Sequence, residues 1–464
     1  MSTQTLQAHD ILAPLQAILG DRAILADALE AERRRSDYNA TGPAPAVVVY
    51  PVTTEEVSRV LKLCNDLRQP VVPQGGLTGL AGGAVPGREG MVALSLDRMR
   101  AIEEVDLDAA VMTVQAGAVL QTVQDAADAA GMLFPLDLGG RGSAQIGGLI
   151  GTNAGGNRVL RYGMMRDLVL GVEAVTADGQ IVSSLNKMLK NNTGYDLKQL
   201  FIGSEGTLGV ITRANLKLFP KPADAATALC GVNSYEAAMA LLRRARATLG
   251  GTLSAFEVMW SDFYEMGVRE FGRRPLAEPH ALYVLLDALG ADPDADDARF
   301  EALITAAIEA GEVEDAVIAQ STQQTRELWK IRETPAEFPR MFSPHIPFDV
   351  SVPTGQIGAF AAEIDRRLKA ALPTLNTVYF GHVADSNLHV GVQAAHGEDP
   401  ALVKQAVYEV VRAFKGSISA EHGIGMEKKK YLGHSRSPAE LALMRALKQT
   451  LDPHGVLNPG KVLV

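Results

Sequence analysis

The sequence predicts an α+β protein that is built from two domains. Its 464 residues exceed what a single hydrophobic core usually organises, so two domains are the natural expectation. Segments with strand character and segments with helix character occur along the whole chain, which favours a mixed α+β fold. A stretch rich in proline and alanine, FPKPADAA at 219–226, separates a glycine-rich region from one of ordinary composition. We therefore place a first domain at residues 1–222 and a second at 223–410.

The first region begins with a strand and a well-marked helix. AVVVY at 46–50 is a β-branched run, and Thr53 with Glu56 gives the signature of a capping box that starts a helix. The apolar residues that follow share one helix face at i, i+3, i+4 and i+7, namely Val57, Val60, Leu61 and Cys64. Further strands are predicted at 69–73, 90–99, 110–117, 167–182 and 207–220, with a helix at 120–131.

The second region has longer helices and fewer glycines. SYEAAMALLRRARATLG at 234–250 and DARFEALITAAIEAG at 297–311 have helical periodicity, and HALYVLLDAL at 280–289 is a buried-strand pattern. TVYFGHV and NLHVGVQ form a strand pair across the turn signal ADSN. A last helix is predicted at 439–451, within a C-terminal segment that we place at residues 411–464.

Bulk properties exclude several classes of protein. The net charge of −10 and a pI near 5.5 argue against broad nucleic-acid binding and against a polybasic membrane patch. The two cysteines, Cys64 and Cys230, are far apart and outside any metal-binding spacing, so no disulfide framework is predicted. The N-terminus lacks the pattern of a secretory signal, and no apolar run is long enough to span a membrane. A cytoplasmic location is expected.

Glycine is clustered at Gly75–Gly83 and at Gly139–Gly156. The first cluster is followed by a predicted strand, whereas a dinucleotide-binding phosphate loop leads into a helix and needs GxGxxG; neither that motif nor GxxxxGK[ST] is present. Backbone N–H groups of such loops can nevertheless hold phosphates, and Ser143, Thr152 and Asn153 can add hydrogen bonds. The two clusters therefore suit a large, flat, phosphorylated ligand; the alternative is a set of structural turns.

Two histidines in GHVADSNLHV, residues 381–390, form a candidate metal site. Across a hairpin turn, His382 and His389 become near neighbours. Two imidazoles and one carboxylate are a common set of ligands for a divalent metal. Glu421 is the best candidate for the carboxylate because it lies in the polar, glycine-flanked segment SISAEHGIG. The alternative is that both histidines are structural residues at the ends of strands.

His422 and Arg332 complete the list of candidates. Adjacent side chains diverge on a strand, so His422 is not expected to bind the same metal as Glu421. A free imidazole beside a metal has the properties of a general base, although an ordinary loop histidine is the alternative. Arg332 is suited to anchoring a carboxylate, although a surface arginine on a helix is the alternative.

Five motifs together resemble one family. They are PQGGLTGLAGG, PLDLGGRGS…IGG…TNAGGNRVLRYG, GSEGTLGVIT, GHVADSNLH and SAEHGIG. They are similar to those of the FAD-dependent D-2-hydroxyacid dehydrogenases, a family that includes D-2-hydroxyglutarate dehydrogenase, D-lactate dehydrogenase and the flavoprotein subunit of glycolate oxidase. The resemblance implies a two-subdomain FAD-binding domain of the p-cresol methylhydroxylase and vanillyl-alcohol oxidase type. It also implies an α+β substrate domain with an antiparallel sheet, and a C-terminal segment that returns to the FAD domain carrying active-site residues.

The resemblance also implies two cofactors. FAD should be non-covalent, because the loop 73–83 lacks the histidine to which some relatives attach FAD. His382, His389 and Glu421 match the ligands of one divalent metal, zinc or manganese. The residues that the resemblance assigns to FAD are Pro73, Gln74, Gly75, Gly76, Thr78, Gly79, Leu80, Gly82, Gly83, Pro135, Leu136, Asp137, Gly142, Ser143, Ile146, Gly147, Gly148, Thr152, Asn153, Gly155, Gly156, Arg161, Tyr162, Gly163, Glu205, Gly206, Gly209, Ile211 and Asn458.

The implied reaction is oxidation of a small D-2-hydroxy acid, resembling D-lactate or D-2-hydroxyglutarate, to the 2-keto acid. The metal polarises the C2 hydroxyl, His422 removes its proton, Arg332 contacts the carboxylate, and hydride passes from C2 to N5 of FAD. The electrons then go to a quinone, a cytochrome or an electron-transfer flavoprotein. If the protein forms an oligomer, a homodimer is expected. Two alternatives are an oxidase of the same fold that uses oxygen with another alcohol, and a non-enzymatic subunit of a redox complex.

Three positions depart from the pattern of the hydroxyglutarate enzymes. Those enzymes have lysine, threonine and asparagine where this chain has Pro347, Ala336 and Gly391. The substrate-recognition shell therefore differs, and the sequence leaves the substrate open. His345 and Arg340 are nearby candidates for replacing the missing contacts.

Overall fold

A computed structural model describes residues 8–25, 27–372, 374–393 and 399–463 of the chain. Contacts within the chain divide these residues into two compact units. The first unit consists of the described residues of 8–156, 163–221 and 421–463. The second unit consists of those of 157–162 and 222–420. Each unit contains both helices and sheets, so the predicted α+β class is confirmed.

The described part of the first unit contains two main sheets and one strand pair. Its strands are β1 Ile24–Leu25, β2 Val47–Val49, β3 Val71–Gln74, β4 Val92–Ser95, β5 Ile102–Asp106, β6 Val111–Gln115, β7 Met132–Leu133, β8 Val169–Val175, β9 Ile181–Ser183, β10 Val210–Lys217 and β11 Phe219–Pro220. One sheet has the order β1-β2-β4-β3, with β2, β4 and β3 parallel. The other is antiparallel, with the order β5-β6-β10-β8-β9, and β11 pairs with β7.

The described helices, in chain order, are α1 Ala8–Leu19, α2 Ala28–Arg33, α3 Thr54–Asp66, α4 Leu120–Ala129, α5 Ile146–Gly151, α6 Val159–Tyr162, α7 Met165–Leu168, α8 Lys198–Phe201, α9 Tyr235–Leu249, α10 Ser261–Phe271, α11 Pro293–Glu309, α12 Thr322–Arg332, α13 Phe338–Met341, α14 Ile357–Ala371, α15 Pro400–Ala413 and α16 Pro438–Leu451. Helices α6 and α9–α15 belong to the second unit. None of the described helices is both long and apolar enough to cross a bilayer.

Helix α3 shows how the predicted signals act. The Thr53 side chain accepts a hydrogen bond from the Glu56 N–H at 3.1 Å, so this half of the predicted capping box is confirmed. The Glu56 carboxylate accepts from the N–H of Val52 and not of Thr53, so the other half is shifted by one residue. The predicted apolar face is fully buried, which contributes about 1.5–3 kcal/mol for each large aliphatic side chain.

The described part of the second unit is organised by one antiparallel sheet. Its strands are β12 Asp224–Val232, β13 Leu253–Trp260, β14 Leu282–Gly290, β15 Asp315–Ile318, β16 His345–Ser351, β17 Asn376–Gly381 and β18 Asn387–Gln393. They are arranged in the order β15-β12-β14-β13-β17-β18-β16. An apolar cluster that includes Met259, Phe263, Phe338 and Phe380 packs on this sheet. The predicted strand pair around ADSN is confirmed as β17 and β18.

Candidate active site

The first glycine cluster forms a row of backbone donors. Among the described residues, none accepts a hydrogen bond from the backbone N–H groups of residues 76–81, although this loop is partly or fully buried. Residues 76–80 are half-buried and Ala81 is buried. N–H groups that are withdrawn from water rarely remain without a partner, because each one then costs free energy. Successive N–H groups of this kind form an anion-binding concavity. The loop is therefore fitted to hold the pyrophosphate of a dinucleotide.

The two glycine clusters approach each other so closely that side chains are excluded. A Cβ atom at Gly76 would lie 1.8 Å from the carbonyl oxygen of Ser143, and one at Gly156 would lie 2.1 Å from that of Asp137. Gly156 also has a φ of +129°, a backbone conformation that residues with a side chain rarely adopt. These glycines therefore bring the predicted ligand-binding loops into backbone contact.

Three buried side chains beside these loops each retain an acceptor atom without a partner among the described residues. They are Gln74 Oε1, Gln145 Oε1 and Asn458 Oδ1. The amide nitrogen of Asn458 donates to the carbonyl groups of Gly83 and Glu205, at 2.9 and 2.8 Å, which fixes the side chain. FAD carries hydroxyl, amine and imide donors that could satisfy such acceptors. The residues of this site therefore fit FAD.

Most of the other predicted FAD residues lie on segments of the first unit near these loops. Ile146, Gly147 and Gly148 are on α5, and Thr152 caps its end by donating to the Gly148 carbonyl at 3.0 Å. Asn153 adopts a φ of +50°, and its side-chain oxygen accepts from the N–H of Arg166. The remaining members lie in loops or on β10, namely Pro135, Leu136, Asp137, Gly142, Ser143, Gly155, Gly163, Gly206, Gly209 and Ile211.

Glu205 is used differently from the prediction. Its carboxylate accepts hydrogen bonds from the N–H groups of Ile424 and Gly425, at 2.7 and 2.8 Å. Burial raises the pKa of Glu205 even though these two donors oppose the shift. The side chain therefore ties the GSEG turn to the segment that follows His422, and the prediction that it binds FAD stays untested.

Arg161 and Tyr162 lie on α6, in the second unit. The Arg161 guanidinium donates to the carbonyl groups of Thr252 and Leu289, which belong to that unit. Burial raises the pKa of Tyr162. The Arg161 side chain thus binds backbone carbonyls of the second unit, whereas the resemblance assigned it to FAD.

Substitution of Gly76 should weaken FAD binding. Gly76→Ala places a methyl group against the Ser143 carbonyl, so one loop must move. Overpacking of this kind costs about 1–3 kcal/mol, which corresponds to about 5- to 150-fold weaker FAD binding if the cost falls on the bound state. Fluorescence titration of the apoprotein with FAD measures the change. Gly139→Ala is the matched control, because its added methyl group meets nothing within 4 Å. Equal affinities for the two variants would contradict the role of the Gly76 contact.

The predicted pair of histidines is brought together by the hairpin of β17 and β18. The two rings lie with centroids 5.5 Å apart. Between the strands the chain makes a short 3-10 turn at Val383–Asp385, and Ser386 closes it with a φ of +77°. The prediction that the two histidines are near neighbours across the turn is therefore confirmed.

His382 is held by a buried carboxylate that the sequence reasoning missed. Glu257 on β13 is 1% exposed, and its Oε1 lies 2.7 Å from His382 Nδ1. Its Oε2 accepts a hydrogen bond from Arg332 Nε at 2.8 Å. Burial alone would raise the pKa of Glu257, but the interactions with His382 and Arg332 outweigh it and lower this pKa to about 2. Glu257 is therefore a buried anion between two predicted site residues.

Arg332 is buried and not a surface residue. It is the last residue of α12, and its guanidinium lies 4.7 Å from the centroid of the Phe380 ring. Its Nη2 lies 3.5 Å from His382 Nε2. The alternative of a solvent-exposed helix arginine is therefore wrong, and Arg332 lies beside a candidate metal ligand.

Asp349 supports the other histidine. It lies directly opposite His389 in the pairing of β16 with β18, with 3.9 Å between Asp349 Oδ1 and His389 Nδ1. The same oxygen accepts from the Asn387 amide at 2.9 Å. Asp349 also anchors the chain that follows, because its carbonyl accepts from the N–H of Ala420, the residue before Glu421, at 3.2 Å.

Glu421 directly continues this anchored segment. One potential ligand atom from each of His382, His389 and Glu421 lies within 4.8 Å of the others. Two nitrogen donors and one carboxylate at this spacing are a donor set that fits zinc or manganese. The three residues that the sequence proposed as ligands are therefore close together.

His422 lies in a bend and not on a strand, so the reason given for separating it from Glu421 is wrong. Ligand atoms of Asp349, Glu421 and His422 form a second group within 4.8 Å of one another. The group that contains both hairpin histidines nevertheless includes Glu421 and not His422. His422 is thus placed beside the candidate metal ligands without being part of their set.

Two of the three departures from the hydroxyglutarate pattern face each other. Pro347 on β16 pairs with Gly391 on β18, two residues beyond the pair of Asp349 and His389. A Cβ atom at Gly391 would lie 2.9 Å from Val378 and 3.2 Å from the Phe342 ring. At this end of the sheet, apolar side chains therefore occupy the space that a side chain at position 391 would need.

The two suggested substitutes have different surroundings. His345 lies against Phe338 and Phe342, with ring centroids 5.5 and 6.3 Å away, and burial lowers its pKa. Arg340 is exposed and pairs with Glu270 and Glu337, which leaves it a poor anchor for a substrate. Ala336, the third departure, is exposed on the turn before α13.

Two family models match the chain. One is described as the C-terminal domain of FAD linked oxidases and matches residues 221–462. The other is described as an FAD binding domain and matches residues 45–184. The chain is also similar to solved structures, among them p-cresol methylhydroxylase with substrate bound, at a TM-score of 0.77 and 19% identity over 98% of this chain and 96% of that one. That similarity confirms the predicted type of fold.

Two curated relatives cover most of the chain. D-2-hydroxyglutarate dehydrogenase of Xanthomonas citri pv. viticola is 40% identical over 90% of this chain and 89% of its own length. The mitochondrial D-2-hydroxyglutarate dehydrogenase of Arabidopsis thaliana is 37% identical over 96% of this chain and 80% of its own length. The fold and these matches define a flavin-dependent oxidoreductase. The chain belongs to the family of FAD-linked oxidases. The names of its curated relatives confirm the resemblance to FAD-dependent D-2-hydroxyacid dehydrogenases that the motifs indicated.

Proposed function

We propose that the protein oxidises a D-2-hydroxy acid to the corresponding 2-keto acid, with FAD and one divalent metal as cofactors. The observation that carries the proposal is the group of His382, His389 and Glu421, with His422 beside it, in a chain that has an FAD-binding domain. The names of the curated relatives, which refer to a D-2-hydroxy acid, support the same chemistry.

The cofactors and the chain have separate tasks in this reaction. Bound FAD supplies the acceptor for the hydride from C2, and a divalent ion held by His382, His389 and Glu421 supplies a Lewis acid for the hydroxyl oxygen. The glycine loop at 76–81 holds the diphosphate through its backbone N–H groups, and no histidine of this loop is available for a covalent link.

His422 acts as the general base. It accepts the proton of the C2 hydroxyl, so that the alkoxide character needed for loss of hydride develops at that oxygen. Its place close to Glu421, in a group that does not include the two hairpin histidines, supports this role. Arg332, held beside His382, positions the substrate carboxylate.

The reduced cofactor must return its electrons to an acceptor. We propose a quinone, a cytochrome or an electron-transfer flavoprotein. Formation of peroxide in step with turnover would instead identify an oxidase.

Flavin bleaching tests the proposal directly. In a stopped-flow experiment without oxygen, D-2-hydroxy acids should bleach the flavin absorbance of the metal-loaded holoenzyme, and their L-enantiomers should not. A folded, yellow, metal-loaded protein that no 2-hydroxy acid reduces would rule out the proposed reaction.

The panel of substrates should favour acids without a second carboxylate. On the sheet face that carries Asp349 and His389, the next row contains Pro347, Gly391 and Val378, none of which has a donor side chain. A second carboxylate that reached the buried part of this row, at Gly391 and Val378, would be desolvated without a partner. We expect kcat/KM for D-lactate or D-2-hydroxybutyrate to exceed that for D-2-hydroxyglutarate by about 10-fold or more. The reverse order would contradict this assignment of the row.

A further inference from the structure

We propose that Glu257 is a positioning residue that fixes the tautomer of His382, so that Nδ1 carries the proton and Nε2 is left to bind the metal. This inference rests on the proposed function, because it concerns the same metal site. Glu257 is distant in sequence from both of its partners, 125 residues from His382 and 75 from Arg332.

The contacts of the His382 ring with Glu257 and with Arg332 require the same tautomer. The carboxylate of Glu257 can only accept at 2.7 Å, so His382 Nδ1 must donate. Arg332 can only donate, and its Nη2 faces His382 Nε2 at 3.5 Å, so Nε2 must be an acceptor. A neutral imidazole with this arrangement has its lone pair on Nε2, which is the nitrogen that would bind a metal ion in place of the contact with Arg332.

Arg332 compensates the charge of the Glu257 carboxylate and fixes its orientation. A buried anion is costly unless a cation and hydrogen bonds compensate it, and Arg332 Nε provides both at 2.8 Å. Each oxygen of Glu257 thereby accepts one hydrogen bond, Oε1 from His382 and Oε2 from Arg332. One carboxylate thus positions both a proposed metal ligand and the proposed substrate anchor.

Glu257→Gln reverses the tautomer while it preserves the shape of the side chain. A glutamine offers one acceptor oxygen and one donor amide. Because Arg332 Nε must donate, the oxygen faces Arg332 and the amide faces His382 Nδ1. His382 must then accept at Nδ1 and carry its proton on Nε2, where it blocks the metal.

Metal affinity is the first test. Holoenzyme is stripped of metal with a chelator and titrated calorimetrically with Mn²⁺ or Zn²⁺ alone. We expect Glu257→Gln to bind about 10- to 100-fold more weakly than the wild type, with its FAD absorbance retained. Asp287→Asn is the matched control, since Asp287 is a buried carboxylate of the same sheet that accepts from Arg158 and from the Trp329 indole, with no histidine. Its metal affinity should be unchanged. Equal affinity in the wild type and Glu257→Gln would overturn the proposal.

A second measurement does not depend on how the variant folds. Nitrogen chemical shifts of ¹⁵N-histidine-labelled, metal-stripped wild-type holoenzyme report the tautomer of each neutral imidazole, and His382→Asn identifies the signal of His382. A proton on Nδ1 is expected, and a proton on Nε2 would overturn the inference. Wild-type protein that binds neither metal would count against the proposed function instead, and the tautomer would still be decided.

Discussion

Replacing His422 with asparagine should nearly abolish reduction of the flavin by substrate. The proton of the C2 hydroxyl then has no base beside the metal ligands, and loss of a general base costs about 10²- to 10⁴-fold in rate. The set formed by His382, His389 and Glu421 is untouched, so FAD and metal content should remain at wild-type levels. Anaerobic stopped-flow reduction, with flavin absorbance and metal analysis on the same sample, measures all three quantities.

A second histidine provides the control for this variant. His454 is exposed on the loop after α16, and His454→Asn should reduce at the wild-type rate. Added imidazole should restore part of the rate to His422→Gly and leave His454→Asn unaffected. If His422→Asn reduced the flavin at a rate close to that of the wild type, the assignment of the base would be wrong.

Loss of His389 should remove metal and activity together. His389→Ala deletes one of three proposed ligands, and Lewis-acid stabilisation by a bound metal supplies several kcal/mol. We expect metal content to fall from about one ion per chain to near zero, and kcat/KM to fall by about 10³-fold or more. Elemental analysis and steady-state kinetics measure the two effects.

Metal removal from the wild type should have the same consequence and be reversible. Chelation should abolish flavin reduction, and added Mn²⁺ or Zn²⁺ should restore it only when all three ligands are present. His280→Asn is the control, because His280 is a buried histidine of the same unit that lies outside the proposed ligand group. An active His389→Ala protein without metal would show that the chemistry needs no metal at this site.

The hairpin and its two histidines were predictable because the signals were local. ADSN marks a turn and the flanking runs have strand character, so the neighbouring positions of His382 and His389 follow from chain geometry alone. The same holds for α3, whose capping residues and apolar face lie within 12 residues. In such cases residues that are close in sequence determine the local structure, and no knowledge of distant contacts is needed to predict it.

Glu257 was not predictable in this way, because its partners lie far away along the chain. The available signal was one acidic residue in the otherwise apolar and small-residue run LSAFEVMW of β13, where a charge must have a buried partner. Asp287 in β14 gives the same signal and pairs with Arg158. An acidic residue in an apolar strand thus predicts a buried ion pair. Only the order of the strands, in which β13 is next to β17, shows that Glu257 and not Asp287 lies at the histidines.

The local conformation of Glu421 and His422 differs from the predicted strand for a related reason. Side chains diverge in this way only on a strand, whereas residues 421 and 422 form a bend. The bend lies between two anchored positions, Ala420, which donates to the Asp349 carbonyl, and Ile424, which donates to the Glu205 carboxylate. Both restraints come from residues far away in sequence. Propensity within the segment therefore could not fix where its two side chains point.

The pairing of Pro347 with Gly391 has a consequence for how the substrate preference of this enzyme could evolve. The two positions are opposite each other, and a side chain at 391 would displace Val378 and Phe342. Residues in contact do not change independently, and their effects on free energy are not additive. In a lineage that gains or loses recognition of a second acidic group, the effect of a substitution at position 347 would therefore depend on the residue at position 391. The order in which the two codons mutate would decide whether the intermediate is functional.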